Sequence, residues 1–438
     1  MINELLRIQF NIEKANRTDL KVQNLASYIN KETLMAIHKQ MDSRKAKGID
    51  GVTKDEYEVN LEANIDNLVK KMKNGSYKPK PTRRVYIPKD GSDKMRPLGI
   101  SSYEDKLVEN AIAQILTMIY EPKFYKVNFG FRPNKNCHQA VAEIIEDVTY
   151  RKTDYIVEAD IKGFFDNVDH SWMMKFLEHD IADKKFLEII EKFLKAGIME
   201  NGNYLNSEQG TPQGNGASPV LANIYLHYVL DNWFDVIVKR QCEGESYLIR
   251  YCDDFVCCFQ NKGEAEVFFI RLQERFKKYG LELAMEKTKI LEFGRFARQN
   301  RERRGDKKPD TFDFLGFTFY CGMDRKKIRY RCKVKTSKKK LRSKMMAMKE
   351  WIKANRTIPL EILFKTVNAK LRGHYQYYGV NNNMKEISRF FLHTKWLLYK
   401  WLNRRSQKKS YTVETFFNGL LRTFHLVEPK IKVSLYYR

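Results

Sequence analysis

Hydrophobic positions along this chain follow two periods. Leu61, Ile65, Leu68, Val69 and Met72 recur at helical spacing, and Gly75-Ser76 follows as a stop. The same period predicts helices over 104–121, 137–150, 171–195 and 263–279; in the first of these Leu107, Ile112, Ile115, Leu116 and Ile119 form the buried side. Shorter runs have strand character. Residues 83–87 and 94–100 flank Asp90-Gly91, a turn signal, and read as a β-hairpin. Residues 155–161 form a strand ending in an acid, Asp160. Residues 247–249 and 255–259 predict a second hairpin with Asp253 and Asp254 on its tight turn. Residues 312–319 alternate aromatic and polar and predict one strand.

Three further amphipathic helices close the pattern. Leu341, Met345, Met348 and Ile352 mark the first; Leu360, Leu363, Phe364, Val367 and Leu371 the second; Ile387, Phe390, Phe391, Leu397, Leu398, Trp401 and Leu402 the third. They predict a small bundle with Lys and Arg on its outer faces. Charge sharpens this picture. The chain of 438 residues carries a formal net charge of +26. Residues 1–320 hold 50 Lys and Arg against 48 Asp and Glu, whereas residues 321–409 hold 26 against 4. A nearly neutral body therefore carries a basic module suited to a polyanion, and nucleic acid fits better than an acidic membrane. The seven cysteines form no C-x-x-C pair, which argues against zinc sites and disulfide frameworks. With no signal peptide and no membrane-spanning run, the chain reads as a soluble protein of the cell interior, expected in the cytoplasm.

Chemistry enters at the second hairpin. Two adjacent carboxylates, Asp253 and Asp254, repel each other and favour a divalent cation, although Asp-Asp is also an ordinary turn pair. Asp160, at the end of its strand, suits either a helix N-cap or a metal ligand. Gly210-Thr211-Pro212-Gln213-Gly214 through Ser218-Pro219 is a Gly/Pro-rich loop opening a helix, and it permits close backbone approach to a ligand. The first hairpin, with Arg83, Arg84, Lys89, Lys94 and Arg96, suits phosphates; edge lysines that guard a sheet are the plainer reading.

Taken in order, these segments resemble the reverse transcriptases encoded by group II introns, also called intron maturases, over nearly the whole chain. The run from Glu158 to Asp166 resembles their first catalytic-acid motif, Tyr251-Cys252-Asp253-Asp254 their Tyr-x-Asp-Asp box, and Phe314-Leu315-Gly316-Phe317 their primer-grip strand. Leu371-Arg372-Gly373-His374-Tyr375 and Trp401-Leu402-Asn403-Arg404 resemble the maturase, or X, domain that includes the thumb. The resemblance implies an α+β right-hand polymerase, with fingers and an antiparallel palm sheet, followed by an all-α thumb. It divides the chain into a helical extension of the fingers (1–80), fingers and palm (81–325) and a basic thumb/maturase domain (326–438).

It also implies roles. Asp160, Asp253 and Asp254, with the Ile161 carbonyl, hold two Mg²⁺ ions. Lys89 and Arg96, joined by Arg132, hold the triphosphate; Phe165 packs under the deoxyribose and rejects a 2′-hydroxyl; Gln213 and Gly214 border the nucleotide; Lys287 is the acid for the leaving pyrophosphate. The implied partners are dNTPs, an RNA template with its DNA primer, and the intron RNA. Cys252 departs from the Ala usual in the family, at a position expected near the primer end. The lack of Cys pairs predicts no HNH endonuclease. The reading as a polymerase for intron mobility stands beside two others: a splicing maturase, and a domesticated enzyme of DNA repair or phage defence.

Overall fold

The computed structural model describes residues 2–18, 20–88, 95–200, 202–206, 209–211, 214–294, 296–306, 308–324, 330–408 and 410–436. Lys89 and Gln213, expected at the nucleotide, lie outside them. Helices α1 (Ile2–Thr18), α2 (Lys31–Gln40), α3 (Lys54–Glu58) and α4 (Leu61–Lys73) precede the hairpin of β1 (Thr82–Pro88) and β2 (Met95–Ile100). Then follow α5 (Tyr103–Tyr120), α6 (Cys137–Tyr150), β3 (Tyr155–Ala159), α7 (His170–Asp180), α8 (Lys184–Leu194), β4 (Ile198–Glu200) and β5 (Asn203–Leu205). Helices α9 (Ser218–Leu226) and α10 (Lys239–Gln241) lead to β6 (Ser246–Tyr251) and β7 (Asp254–Phe259). After these come α11 (Lys262–Lys278), β8 (Lys289–Glu292), α12 (Ala297–Arg303), β9 (Phe312–Phe314), β10 (Phe317–Met323), β11 (Tyr330–Thr336), α13 (Lys338–Ala354), α14 (Leu360–Tyr378), α15 (Met384–Leu402) and a short helical stretch over Thr415–Leu420 continued by α16 (Leu421–Thr423).

Two expectations are corrected locally. The helix expected over 171–195 is two, because Ile181–Asp183 bends away: Ile181 bridges Val22, and Asp183 caps α8 by accepting from the Phe186 amide. The aromatic run 312–319 is not one strand. Leu315 (φ 48°) and Gly316 (φ 78°) form a two-residue turn that folds β9 back on β10, with Phe314 opposite Phe317.

The palm is an antiparallel sheet in the order β6-β7-β3-β8. Both faces are covered, so its central strands are largely apolar and alternate residues serve different cores. Phe255, Cys257 and Phe259 of β7 belong to the core that includes α1, α2, α5, α7, α8 and α11, while Val256 and Cys258 belong to a second core that includes α6, β9–β11 and the C-terminal helices. Each buried side chain of this size stabilises the fold by about 1.5–3 kcal/mol. The fingers sheet runs β2-β1-β4-β5, with β1 parallel to β4. The boundary expected at 325/326 falls between β10 and β11, which pair from Phe317–Thr336 to Met323–Tyr330, so this small sheet ties palm to thumb. Buried side chains of α1, α2, α3 and α4 belong to the same core as the palm.

Candidate active site

The palm sheet sets the acids. Register pairs Ala159 of β3 with Phe255 of β7, so the next step brings Asp160 beside Asp254. The turn itself differs from expectation. Tyr251 pairs with Asp254, which makes Cys252 and Asp253 the turn residues and Asp254 the first residue of β7. Cys252 has φ 64°, a left-handed conformation that favours Gly, and only 6% of its surface is exposed. Its side chain is therefore packed into the protein at the turn.

What holds this strained turn is a buried polar network that the sequence reading did not single out. Arg250 is fully buried. Its Nε and Nη2 donate to the two carboxylate oxygens of Asp231 (2.7 and 2.5 Å), and its Nη1 donates to Asn223 Oδ1 (3.0 Å) and to the Cys252 carbonyl (2.9 Å). A buried guanidinium is tolerable only with such bidentate pairing. Asn223 in turn donates to the Gly130 carbonyl at 2.7 Å. Gly130 lies so close beneath the turn that a Cβ there would meet the Cys252 nitrogen at 2.3 Å. An Arg inside the apolar run Leu248-Ile249-Arg250 was the available signal, since a strand-interior charge requires a partner.

Arg132, expected to join the triphosphate site, has its guanidinium engaged within the protein. Its guanidinium is spent on Glu121 (Nε at 3.0 Å, Nη2 at 2.8 Å) and on the Tyr125 and Asn128 carbonyls (2.7 and 2.9 Å), closing the loop that carries Gly130.

The acids sense one another. Asp253 is raised above the usual carboxylate range, first by desolvation and then by Asp160. Asp254 opens on the cleft, yet the protein around its carboxyl, together with Asp253 and Asp160, raises it to about 7. Arg96 on β2 and Lys287 lean the other way on Asp254. Lys287 Nζ is paired directly with Asp160 Oδ2, which keeps the ammonium protonated to higher pH than usual. Ala284 donates to the Asp160 carbonyl and Lys162 to that of Glu282, so Ile161's own carbonyl points away from this bridge.

A cavity of about 600 Å³ opens between fingers and palm, lined by Arg84, Leu98, Gly99, Phe165, Gly210 and Thr211 among others. Phe165 is half-buried beside the fully packed Phe164, their rings 5.3 Å apart at 71°. The glycine-rich loop is fastened to it: the Thr211 amide donates to the Phe165 carbonyl (2.7 Å), and the Gly210 amide to that of Val168 (2.7 Å). At Gly214 (φ 106°) a Cβ would meet the Gly99 carbonyl at 2.9 Å, so this loop also rests on β2. Glu109, wholly buried in α5, accepts from the Gly216 amide (3.1 Å) and is raised to about 8 by burial.

Among the described residues, no group of three or more His, Cys, Asp and Glu is arranged to hold a metal by itself. The donors nevertheless suit Mg²⁺. They are hard oxygens whose mutual repulsion a cation relieves, and Mg²⁺ is commonly held by one or two carboxylates with substrate phosphates completing its shell.

Acids on a palm sheet, a basic fingers hairpin and a helical thumb define a right-hand nucleotidyl-transfer architecture. The family model described as reverse transcriptase (RNA-dependent DNA polymerase) matches residues 87–319, more than half the chain, and the chain belongs to that family. A second model, the group II intron maturase-specific domain, matches residues 338–416 and places it among the group II intron forms. The chain is 43% identical over 209 residues to the group II intron-encoded protein LtrA of Lactococcus lactis, covering 48% of this chain and 34% of that one. It is 30% identical over 311 residues to protein YkfC of Escherichia coli, covering 63% and 81%. A 91 kDa protein in the cob intron of Schizosaccharomyces pombe is 39% identical over 163 residues, covering 37% and 20%. The match thus spans about a third of LtrA's length.

Proposed function

We propose that the chain is an RNA-directed DNA polymerase that extends a DNA primer on an RNA template and binds its intron RNA to assist splicing and mobility. The observation that carries this reading is the meeting of Asp160, Asp253 and Asp254 at one end of the palm sheet, within electrostatic reach of Arg96. Asp160, Asp253, Asp254 and the Ile161 carbonyl are the groups to hold two Mg²⁺ ions, which when bound make the primer 3′-hydroxyl nucleophilic and neutralise the triphosphate. Lys89 and Arg96 orient the triphosphate from the fingers. Phe165 closes the floor under the sugar, and Gln213 with the Gly214 backbone borders the base. Lys287, kept protonated by Asp160, gives a proton to the departing pyrophosphate. With no described helix long and apolar enough to cross a membrane, and with a bacterial intron protein among its relatives, the chain suits the cytoplasm, beside the nucleoid where its target DNA lies.

The test is Asp253→Ala. Primer extension on an RNA template falls by at least about a thousandfold, as expected for loss of a metal ligand, while RNA affinity is retained. Extension at the wild-type rate overturns the site. The maturase role is favoured separately by the basic helices that match the maturase-specific model. If it operates, the Asp253→Ala protein still promotes splicing of the intron RNA at low salt.

A further inference from the structure

Helix α15 carries two faces. Its inner face, with Ile387, Phe390, Thr394, Leu397, Leu398 and Trp401, is buried. Its outer face presents Lys385, Arg389, Leu392, Trp396 and Lys400, all exposed. Steps of three and four residues place these five in one stripe about 22 Å long. Leu392 is 54% and Trp396 52% exposed, two large apolar groups one helical turn apart among cations.

The Trp396 ring is braced. Phe417 meets it edge-on (5.1 Å between centroids, 63°), and so does Tyr399 (5.9 Å, 84°). Lys395 Nζ lies over the Phe417 ring (5.1 Å) and the Phe391 ring (5.4 Å), bringing a further cation to the same patch. No Asp or Glu occurs in the sequence between Glu386 and Glu414, while that interval holds seven Lys and Arg. The charge selects a polyanion, and the oriented, open ring selects something flat.

This stripe is distinct from the cleft that leads to the acids. That cleft, about 680 Å³, is lined by Asp254, Gly316, Lys340, Lys344, Lys370 and His374 among others, and none of the five stripe residues lines it. The stripe therefore lies outside the lining of the cleft that reaches the acids.

We propose that the outer face of α15 is a second nucleic-acid site, at which Trp396 stacks on an unpaired base of a structured RNA while Lys385, Arg389 and Lys400 contact the flanking phosphates. The inference deepens the reading that this chain binds intron RNA and rests on it. Paired bases hide their faces in the helix, so a stacking ring selects loops and bulges, and a stack on an aromatic side chain contributes substantially for any base.

The test uses the full chain and two fluorescein-labelled RNAs of equal phosphate number: a hairpin with a twelve-nucleotide loop and a fully paired duplex. Trp396→Ala weakens binding to the hairpin on the order of tenfold. Trp396→Phe restores most of that affinity, and both variants bind the duplex like the wild type. Equal hairpin affinity for wild type and Trp396→Ala overturns the stacking site, as does a loss shared by hairpin and duplex, which marks a fold or charge effect. If the wild-type chain itself binds neither RNA, the intron-RNA reading fails first and the stripe with it.

Discussion

Arg250 and Arg389 are the same side chain in opposite circumstances. Arg250, in the palm, is wholly buried and spends its guanidinium on Asp231, Asn223 and the Cys252 carbonyl. Arg389, on the thumb, leaves 67% of its side chain exposed and stands 3.8 Å from Glu386. In the palm, charge is structural: a deep guanidinium fixes where a strained turn must sit. On the thumb, charge is left in water, where it costs little and remains available to phosphates. The palm thus uses polar groups to define one geometry, and the thumb uses them to attract.

That contrast can be broken most forcefully at Arg250. Arg250→Met should cost about 3–5 kcal/mol of stability, because Asp231 is left as an uncompensated buried charge. Denaturant unfolding measures it, and a cost under about 1 kcal/mol would mean that the network does not hold the turn. The double substitution with Asp231→Leu should recover much of the loss, since it removes both charges together.

Next in size is Phe165→Ala, which opens the floor of the cavity. Incorporation of ribonucleotides relative to deoxyribonucleotides should rise by about tenfold or more, read from competing single-nucleotide extensions. Unchanged sugar selectivity moves the gate elsewhere in the pocket.

Glu109 tests a buried palm group that lacks a cation as deep as Asp231's partner. Burial raises it to about 8, well above its value in the unfolded chain, so the folded state binds the extra proton. Stability should therefore fall as pH rises from about 4.5 to about 8 and level off above that. Glu109→Gln removes this contribution to the slope, and the difference from wild type is greatest near pH 9. Melting curves from pH 5 to pH 9 that keep the wild-type slope would sink this account.

The smallest effect lies on the thumb. Lys385→Ala or Lys400→Ala should change stability by no more than about 0.5 kcal/mol, because exposed charges contribute little to folding. A large destabilisation would show that the outer face of α15 is structural after all.

Much of this was legible in the chain. Period and alternation located three of the four palm strands (β3, β6 and β7), the fingers hairpin and the three thumb helices, because each buries an apolar face whose spacing is written in the sequence. The acids Asp160, Asp253 and Asp254 were legible as charges at the ends of apolar runs, and the basic C-terminal module as a local imbalance of Lys and Arg.

Other features depended on what lies opposite. That Cys252 and Asp253, not the two acids, form the turn is a matter of register between β6 and β7, which a run of apolar residues on both sides leaves unspecified. That residues 312–319 fold back at Leu315-Gly316 follows from pairing with β10 and β11, since the aromatic alternation suits a straight strand equally well. Arg132 was expected at the triphosphate, and only the fold brought Glu121, eleven residues away, to its guanidinium. Trp396 and Trp401 belong to one aromatic segment of α15, and only the packing of α13 and α14 against one side buried the second and left the first in solvent. Sequence by itself determined which residues carry charge and which faces must be covered, because those follow from composition and period. Tertiary structure decided which charges meet a partner and which stay open, because partnership is set by contacts between segments far apart in the chain.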